Sequence, residues 1–261
     1  MLESEGCEET MDLLVPDGYP ELFFVLNASL KMEQFSGEKY WAQHTDGGLI
    51  GQATAQFAFK PTPYSKMLFV KFYPWTPYEL FGIPAWQLND MALDLGAITK
   101  DLGFRQLSER ICACENMDEA VPLLDAFFLK KLSERNEDNS FLKFAVSQIY
   151  NSNGTITIEN LRQHVHASRR YVEKVFKEKI GTSPKQYAQL IRVKKTSMYL
   201  LDPRFNFNIR DISDRLEYYD QSHLLKDFKA VMGQSPSAFL QRQTIFSEPD
   251  LMSYLDQWDY S

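Results

Sequence analysis

Cysteine, histidine and long apolar runs are all scarce in this chain. Three cysteines in 261 residues are too few, and odd in number, for a disulfide framework. Four histidines leave little material for a His-rich metal centre. The longest apolar stretches, such as Leu22 to Leu26 and Met67 to Val70, are strand-sized, far below the ~18 residues of a membrane helix. The first nine residues, Met-Leu-Glu-Ser-Glu-Gly-Cys-Glu-Glu, are acidic and lack the apolar core of a secretory signal. There is no Gly-rich phosphate loop and no nucleophile elbow. An enzyme is therefore not expected, and neither is a cofactor, a metal or a membrane partner. The hydrophobic share of 44% and aromatic share of 14% can build real cores, which excludes wholesale disorder. A soluble intracellular protein of two domains is the default expectation.

The net charge of −7 argues at first against a nucleic-acid partner, but it is unevenly spread. Residues 141–242 hold 17 Lys and Arg against 9 Asp and Glu, and the remainder holds 11 against 26. A segment of +8 attached to a body of −15 is the asymmetry of a regulated DNA binder, or of a solvated surface with no partner.

Residues 1–12 are acidic and read as a frayed end. From 14 to about 84, aromatic and β-branched runs (Glu21 to Leu26, Ala55 to Phe59, Lys66 to Tyr73) alternate with Pro and Gly, which predicts strands in a barrel or sandwich. From about 86 to 132, Leu102, Leu107, Ile111, Val121, Leu124, Phe128 and Leu132 predict two or three helices. Ser-Glu-Arg-Asn-Glu-Asp-Asn-Ser, 133–140, has no apolar residue and reads as a linker. Beyond it the pattern is helical, and an acidic tail with Tyr254, Trp258 and Tyr260 occupies 243–261.

The helical part contains an internal repeat. Phe176-Lys-Glu-Lys-Ile-Gly-Thr-Ser-Pro184 matches Phe228-Lys-Ala-Val-Met-Gly-Gln-Ser-Pro236 at an offset of 52 residues. In each copy the Phe closes an apolar helix face and the Gly provides a positive-φ stop. The Ser then caps the next helix, with Pro in its first turn. Upstream lie two further helix pairs: Ile158 to Val165 followed by a helix capped at Ser168, and Ile209 to Leu216 followed by one from about Asp220 to Met232. Each pair has a helix-turn-helix layout, whose second helix enters the DNA major groove.

On these residues, 141–242 resembles the AraC/XylS family of bacterial transcription regulators. The family's connecting helix is matched by Arg192 to Leu201. Its second-unit signature is matched by Ile212-Ser213, Tyr218-x-Asp-Gln-Ser-His223 and Phe228-Lys229. Glu217 stands where the family carries a turn glycine, Arg162 where it carries a small residue, and Tyr219 near the usual helix cap. More weakly, Val15-Pro-Asp-Gly18, Val70 to Pro74 and Leu80 to Pro84 resemble a sensor domain found ahead of such regulators.

The resemblance implies a two-domain α+β chain. A β-rich, cupin-like barrel with trailing helices (1–132, sensing or dimerisation) would precede a linker (133–140). An all-α double helix-turn-helix (141–242) and the tail (243–261) would follow. The implied function is sequence-specific DNA binding in the bacterial cytoplasm, controlled by a ligand or partner at the N-terminal part. Double-stranded DNA is the implied partner, with a small-molecule effector, a homodimer and RNA polymerase as further candidates. An adaptor that keeps the fold but acts through protein contacts is the alternative.

Bases are read by groove-facing side chains and phosphates are held by cations. Arg169, Arg170, Glu173 and Lys174 lie opposite Val172, Val175 and Phe176 on the first recognition helix. By family position, Arg170, Glu173 and Lys174 are the base-facing set. Gln221, Ser222 and Lys226 take that role on the second. Lys177, Lys229 and Lys185 suit phosphates.

Other constellations carry less. His164 and His166 point roughly 200° apart on a helix, which is poor for joint metal ligation. His44 is alone in the β region. Cys112 and Cys114 would sense oxidants only if exposed and acidified. The aromatics of 57–86 would serve as core or line a ligand pocket. Limited proteolysis is expected to cut within 133–140 and release a basic C-terminal fragment, because that segment lacks an apolar anchor. Primary cleavage inside 160–230 counts against this boundary.

Overall fold

The computed structural model describes residues 2–3, 12–26, 30–34, 41–44, 47–61, 66–94, 102–134, 138–165, 167–202, 204–205 and 207–241. The proposed acidic tail, His166 and part of the proposed linker lie outside these.

In the N-terminal half the sheet is organised by β3 (Glu21–Val25), which is buried along its whole length. Successive side chains of a strand point to opposite faces. Leu22 and Phe24 accordingly join one apolar cluster, and Phe23 and Val25 join another. β3 pairs antiparallel with β6 (Gly47–Ile50) and with β8 (Lys66–Lys71). With β1 (Leu2–Glu3) and β9 (Ala92–Asp94) the order is β1-β8-β3-β6-β9. A second antiparallel sheet has the order β2-β7-β4-β5, from β2 (Asp12–Leu14), β4 (Leu30–Gln34), β5 (Trp41–His44) and β7 (Phe57–Pro61).

The two sheets share no strand, so the cupin-like barrel that was expected is not closed among the described residues. The Leu22/Phe24 face is covered by helices instead. α1 (Thr76–Phe81) follows β8 at once, and α2 (Leu102–Cys112) and α3 (Met117–Ser133) form a hairpin. Phe104, Leu107 and Ile111 recur at helical spacing on α2 and meet Ala120 and Leu124 of α3 over Leu22, Phe24, Leu49 and Leu68. The two cysteines at the end of α2 do not form an acidified pair. Cys112 contacts the Val25 carbonyl through Sγ, and burial, followed by the Glu119 charge, pushes the Cys114 thiol up.

The C-terminal half is helical: α4 (Ser140–Asn151), α5 (Ile158–Val165), α6 (Arg169–Lys179), α7 (Pro184–Leu201), α8 (Ile209–Arg215), α9 (Gln221–Met232) and α10 (Pro236–Gln241). The sequence repeat recurs in the helix starts. α6 and α9 begin 52 residues apart, and so do α7 and α10. Ser183 closes a full capping box with Gln186 ahead of α7, and Ser235 accepts from the Ala238 amide ahead of α10.

α7 belongs to both repeats. Tyr187, Ala188 and Ile191 pack into the first unit's core with Leu161, Val172, Phe176 and Ile180. Leu190, Val193 and Leu201 pack into the second with Phe228, Val231 and Met232. Such a helix must satisfy its polar groups locally. Thr196 and Ser197 donate back to the carbonyls of Arg192 and Val193, and the fully buried Lys194 lies over the rings of Tyr19 and Tyr150.

The two halves are packed together rather than merely tethered. Residues 15–20, all buried, lie against α7. Val15 joins the second unit's core, and Tyr19 joins the first with Trp75. Asp17 stiffens this loop by accepting from the Tyr19 amide and pairing with Lys71, which also faces Glu21 at 3.6 Å. The Tyr187 hydroxyl donates to the Gly18 carbonyl at 3.3 Å.

Gly18 has φ +90°, and a Cβ there would lie 3.0–3.2 Å from Ile191 and Tyr187. Gly18→Ala is expected to destabilise the chain by roughly 1–3 kcal/mol, the usual cost of a non-glycine residue in such a backbone region. Urea unfolding measures it, and an unchanged midpoint means the loop is not held against α7.

Candidate nucleic-acid interface

α6 starts where Ser168 turns its hydroxyl onto the Tyr171 amide at 3.2 Å. Val172 and Phe176 are fully buried, which fixes the helix's rotation. Arg169, Arg170, Lys174 and Lys177 therefore emerge on the solvent side. Glu173, half-buried, accepts from Arg169 at 2.9 Å across one turn. The Arg169 side chain is 71% exposed. Exposed pairs of this kind contribute ~0–1 kcal/mol, so Arg169 exchanges this partner for another anion at little cost.

α9 repeats the arrangement with different chemistry. Asp220 caps it by accepting from the His223 amide at 2.7 Å. Leu224, Phe228 and Val231 face inward, and Gln221, Ser222, Lys226 and Lys229 face out. The preceding turn forms without a glycine. Glu217 has φ +52°, the left-handed conformation a turn glycine would adopt. Tyr219 is 93% exposed and does no capping. Tyr218 points inward, where burial pushes its phenol well above the usual range.

Between the two units a cleft of about 550 Å³ opens along α7. Arg169 lies on one wall, Lys226 and His223 on the other, and Lys185 and Arg192 on α7 between them. Arg192 is a structural tie. It donates to the Gly154 carbonyl at 2.7 Å in the first unit and stacks 4.9 Å from the Tyr218 ring in the second. Gln189 adds a second tie, donating to Asp227 at 2.9 Å.

Comparison with known proteins agrees with this geometry. The helix-turn-helix domain family matches residues 161–242. A family described as a domain of unknown function, DUF6597, matches residues 1–94. The Msm operon regulatory protein of Streptococcus mutans is 28% identical over 119 residues, 45% of this chain and 42% of that protein. The transcriptional regulatory protein HptR of Staphylococcus aureus is 26% identical over 129 residues, 49% of each. The helical half of the chain is thus similar to transcription regulators that carry a helix-turn-helix domain. The chain spans less than half the length of each of these two relatives. Among solved structures, ToxT of Vibrio cholerae covers 93% of this chain and 96% of its own at 14% identity, with a TM-score of 0.47.

The residues expected to contact DNA sit on α6 and α9, except Lys185 on α7, and Arg169 and Lys226 line the cleft from its two sides. Lys185 joins them as a lining residue. Arg192 was not singled out from the sequence. A lone Arg on a connecting helix reads as a solvated charge, and only the tertiary structure brings Gly154 and Tyr218 to it. The His164 side chain lies outside the described residues, as does that of His44. Among the described residues no cluster of His, Cys, Asp and Glu suits a metal.

Glu217→Gly is expected to stabilise the domain by about 1 kcal/mol, because it removes the side-chain penalty of the left-handed conformation. Thermal unfolding measures the gain. A lower midpoint means that the Glu217 side chain contributes more than its backbone costs.

Proposed function

We propose that this chain is a sequence-specific DNA-binding transcription regulator whose N-terminal half takes a ligand or a protein partner. One observation carries the reading: two recognition helices, at equivalent positions of an internal repeat, hold exposed polar and cationic faces on either side of a shared basic cleft. Arg170, Glu173 and Lys174 on α6, and Gln221, Ser222 and Lys226 on α9, are the proposed base readers. Arg suits guanine, Gln suits adenine and a carboxylate suits cytosine. Arg169, Lys177, Lys185 and Lys229 are the proposed phosphate contacts. Residues 141–242 would form the DNA-binding part and 1–132 the sensing part, in the cytoplasm of a bacterium. A homodimer and contact with RNA polymerase extend the same reading.

α7 has 18 residues, a length of ~27 Å at 1.5 Å per residue. Successive major grooves on one face of DNA are ~34 Å apart. With the offset of each recognition helix, one monomer covers two adjacent grooves. Its site is asymmetric, because Arg170, Glu173 and Lys174 align with Ser222, Leu225 and Lys226, and only the lysine is shared.

Arg170→Ala should weaken specific binding by ~1–3 kcal/mol and relax one base position. Lys177→Ala should weaken binding to all sequences and flatten the salt dependence by about one unit of slope. Gel shifts at several salt concentrations separate the two. Equal effects on specific and random DNA overturn the assignment of roles, and absence of binding at every salt favours the adaptor.

A further inference from the structure

The N-terminal half touches the two helix-turn-helix units at the same place in each repeat. In the first unit the Asn89 side-chain amide donates to the Gly181 carbonyl at 2.7 Å, in the turn that ends α6. In the second, the Gln56 amide donates to the Val231 carbonyl at 3.0 Å, and Gln234 donates to the Gln56 side chain at 3.1 Å, in the turn that ends α9. Gly181 and Gly233 are repeat equivalents, 52 residues apart. Gly181 has φ +98°, and a Cβ there would meet Asn89 Oδ1 at 2.1 Å, so the contact is a close fit.

The two anchors stand on one piece of structure. Asn89 and Gln56 lie on neighbouring loops that Asp90 ties together. The Asp90 carboxylate accepts from the Thr54 amide at 2.7 Å, the Thr54 hydroxyl at 2.5 Å and the Ala55 amide at 3.3 Å. The Asp90 amide donates to the Gln52 carbonyl, and the Gly51 amide to the Met91 carbonyl. Asp90 has φ +54°, a conformation Asp and Asn tolerate better than most residues. Both anchors grip the C-terminal ends of the recognition helices and leave Arg169, Arg170, Gln221 and Ser222 exposed at the opposite ends.

We propose that Asp90, Asn89 and Gln56 are positioning residues: they join loops 51–56 and 85–91 into a brace that fixes the spacing and rotation of the two recognition helices. None of them faces the DNA. The brace selects the distance between half-sites, while α6 and α9 select the bases. β6 and β9, the strands bordering these loops, connect the brace to the N-terminal sheet, and so give a bound effector a route to the reading geometry. The inference rests on the DNA-reading proposal for its consequence, though not for its structural content.

The experiment has two arms, both on the full-length chain. In the first, spin labels at Lys174→Cys and Lys226→Cys, with Cys7, Cys112 and Cys114 replaced by Ser, report the distance between the helices without DNA. A narrow distribution is expected, broadened by Asp90→Gly, which removes the carboxylate without backbone strain, and by Asn89→Ala. Asp90→Asn, which keeps an acceptor for the loop amides, should restore it. In the second arm, duplexes enriched from a random library by the wild-type chain are lengthened by two base pairs between half-sites, a rotation of ~70° at 10–10.5 base pairs per turn. The insertion should cost wild type about tenfold or more and Asp90→Gly about threefold or less. A variant that merely unfolds loses binding to both duplexes equally.

Unchanged distances and unchanged spacing preference in folded Asp90→Gly and Asn89→Ala overturn the brace. Broadened distances in a chain that binds no duplex support the brace and overturn the DNA reading instead.

Discussion

Helix α7 is buried around most of its circumference, and this burial is the constraint on which the rest of the molecule depends. A helix that packs on every side cannot shift or rotate without disturbing several cores together. Tyr187 and Ile191 commit it to the first helix-turn-helix unit, Leu190 and Val193 to the second. Val15 and Gly18 add the N-terminal half to the same helix. Its polar groups are met at short range, by hydroxyls bonding back along the helix and by tyrosine rings around Lys194. The relation of the two units to each other thus rests on packing, with Arg192 and Gln189 as polar ties between them.

Charge is used differently in the two halves. In the N-terminal half, Lys71, Asp17 and Glu21 are buried together and hold a loop in shape. In the C-terminal half Arg170, Lys174 and Lys177 of α6, with Lys226 and Lys229 of α9, are exposed to water, where charges contribute little to stability. The overall charge of −7 conceals this division, because the acidic excess lies outside the helical domain. Helices α6 and α9 also differ along their length. Their N-terminal turns are exposed, and their C-terminal turns are held by the body of the protein.

Much of the C-terminal half was legible in the linear sequence. A repeat of Phe, Gly, Ser and Pro at a fixed offset specifies a helix, a stop and a capped restart, and each of these interactions spans only a few residues. Ser168, Ser183 and Ser235 cap as their positions imply, whereas the cap of α9 is Asp220, one residue beyond Tyr219. The exposed faces of α6 and α9 followed from the same periodicity, since Val172, Phe176, Leu224 and Phe228 leave only one side of each helix for solvent. Glu217 could be identified as irregular but not as harmless, because a left-handed φ is invisible in residue type alone.

The N-terminal half was less legible for a physical reason. Strand-forming composition identifies strands without their partners, and the two separate sheets follow from pairings between residues as distant as Glu21 and Lys71. Loops 51–56 and 85–91 carried no functional signal: Gln56 lay in a run read as a strand, and Asn89 and Asp90 in a stretch read as helical, until folding brings them to Gln234, Gly181 and Thr54. Local periodicity and capping determined which helices form and which faces they offer to solvent. Only the tertiary structure decided how the two recognition helices are held relative to each other, because that relation is made entirely of contacts between residues far apart in the chain.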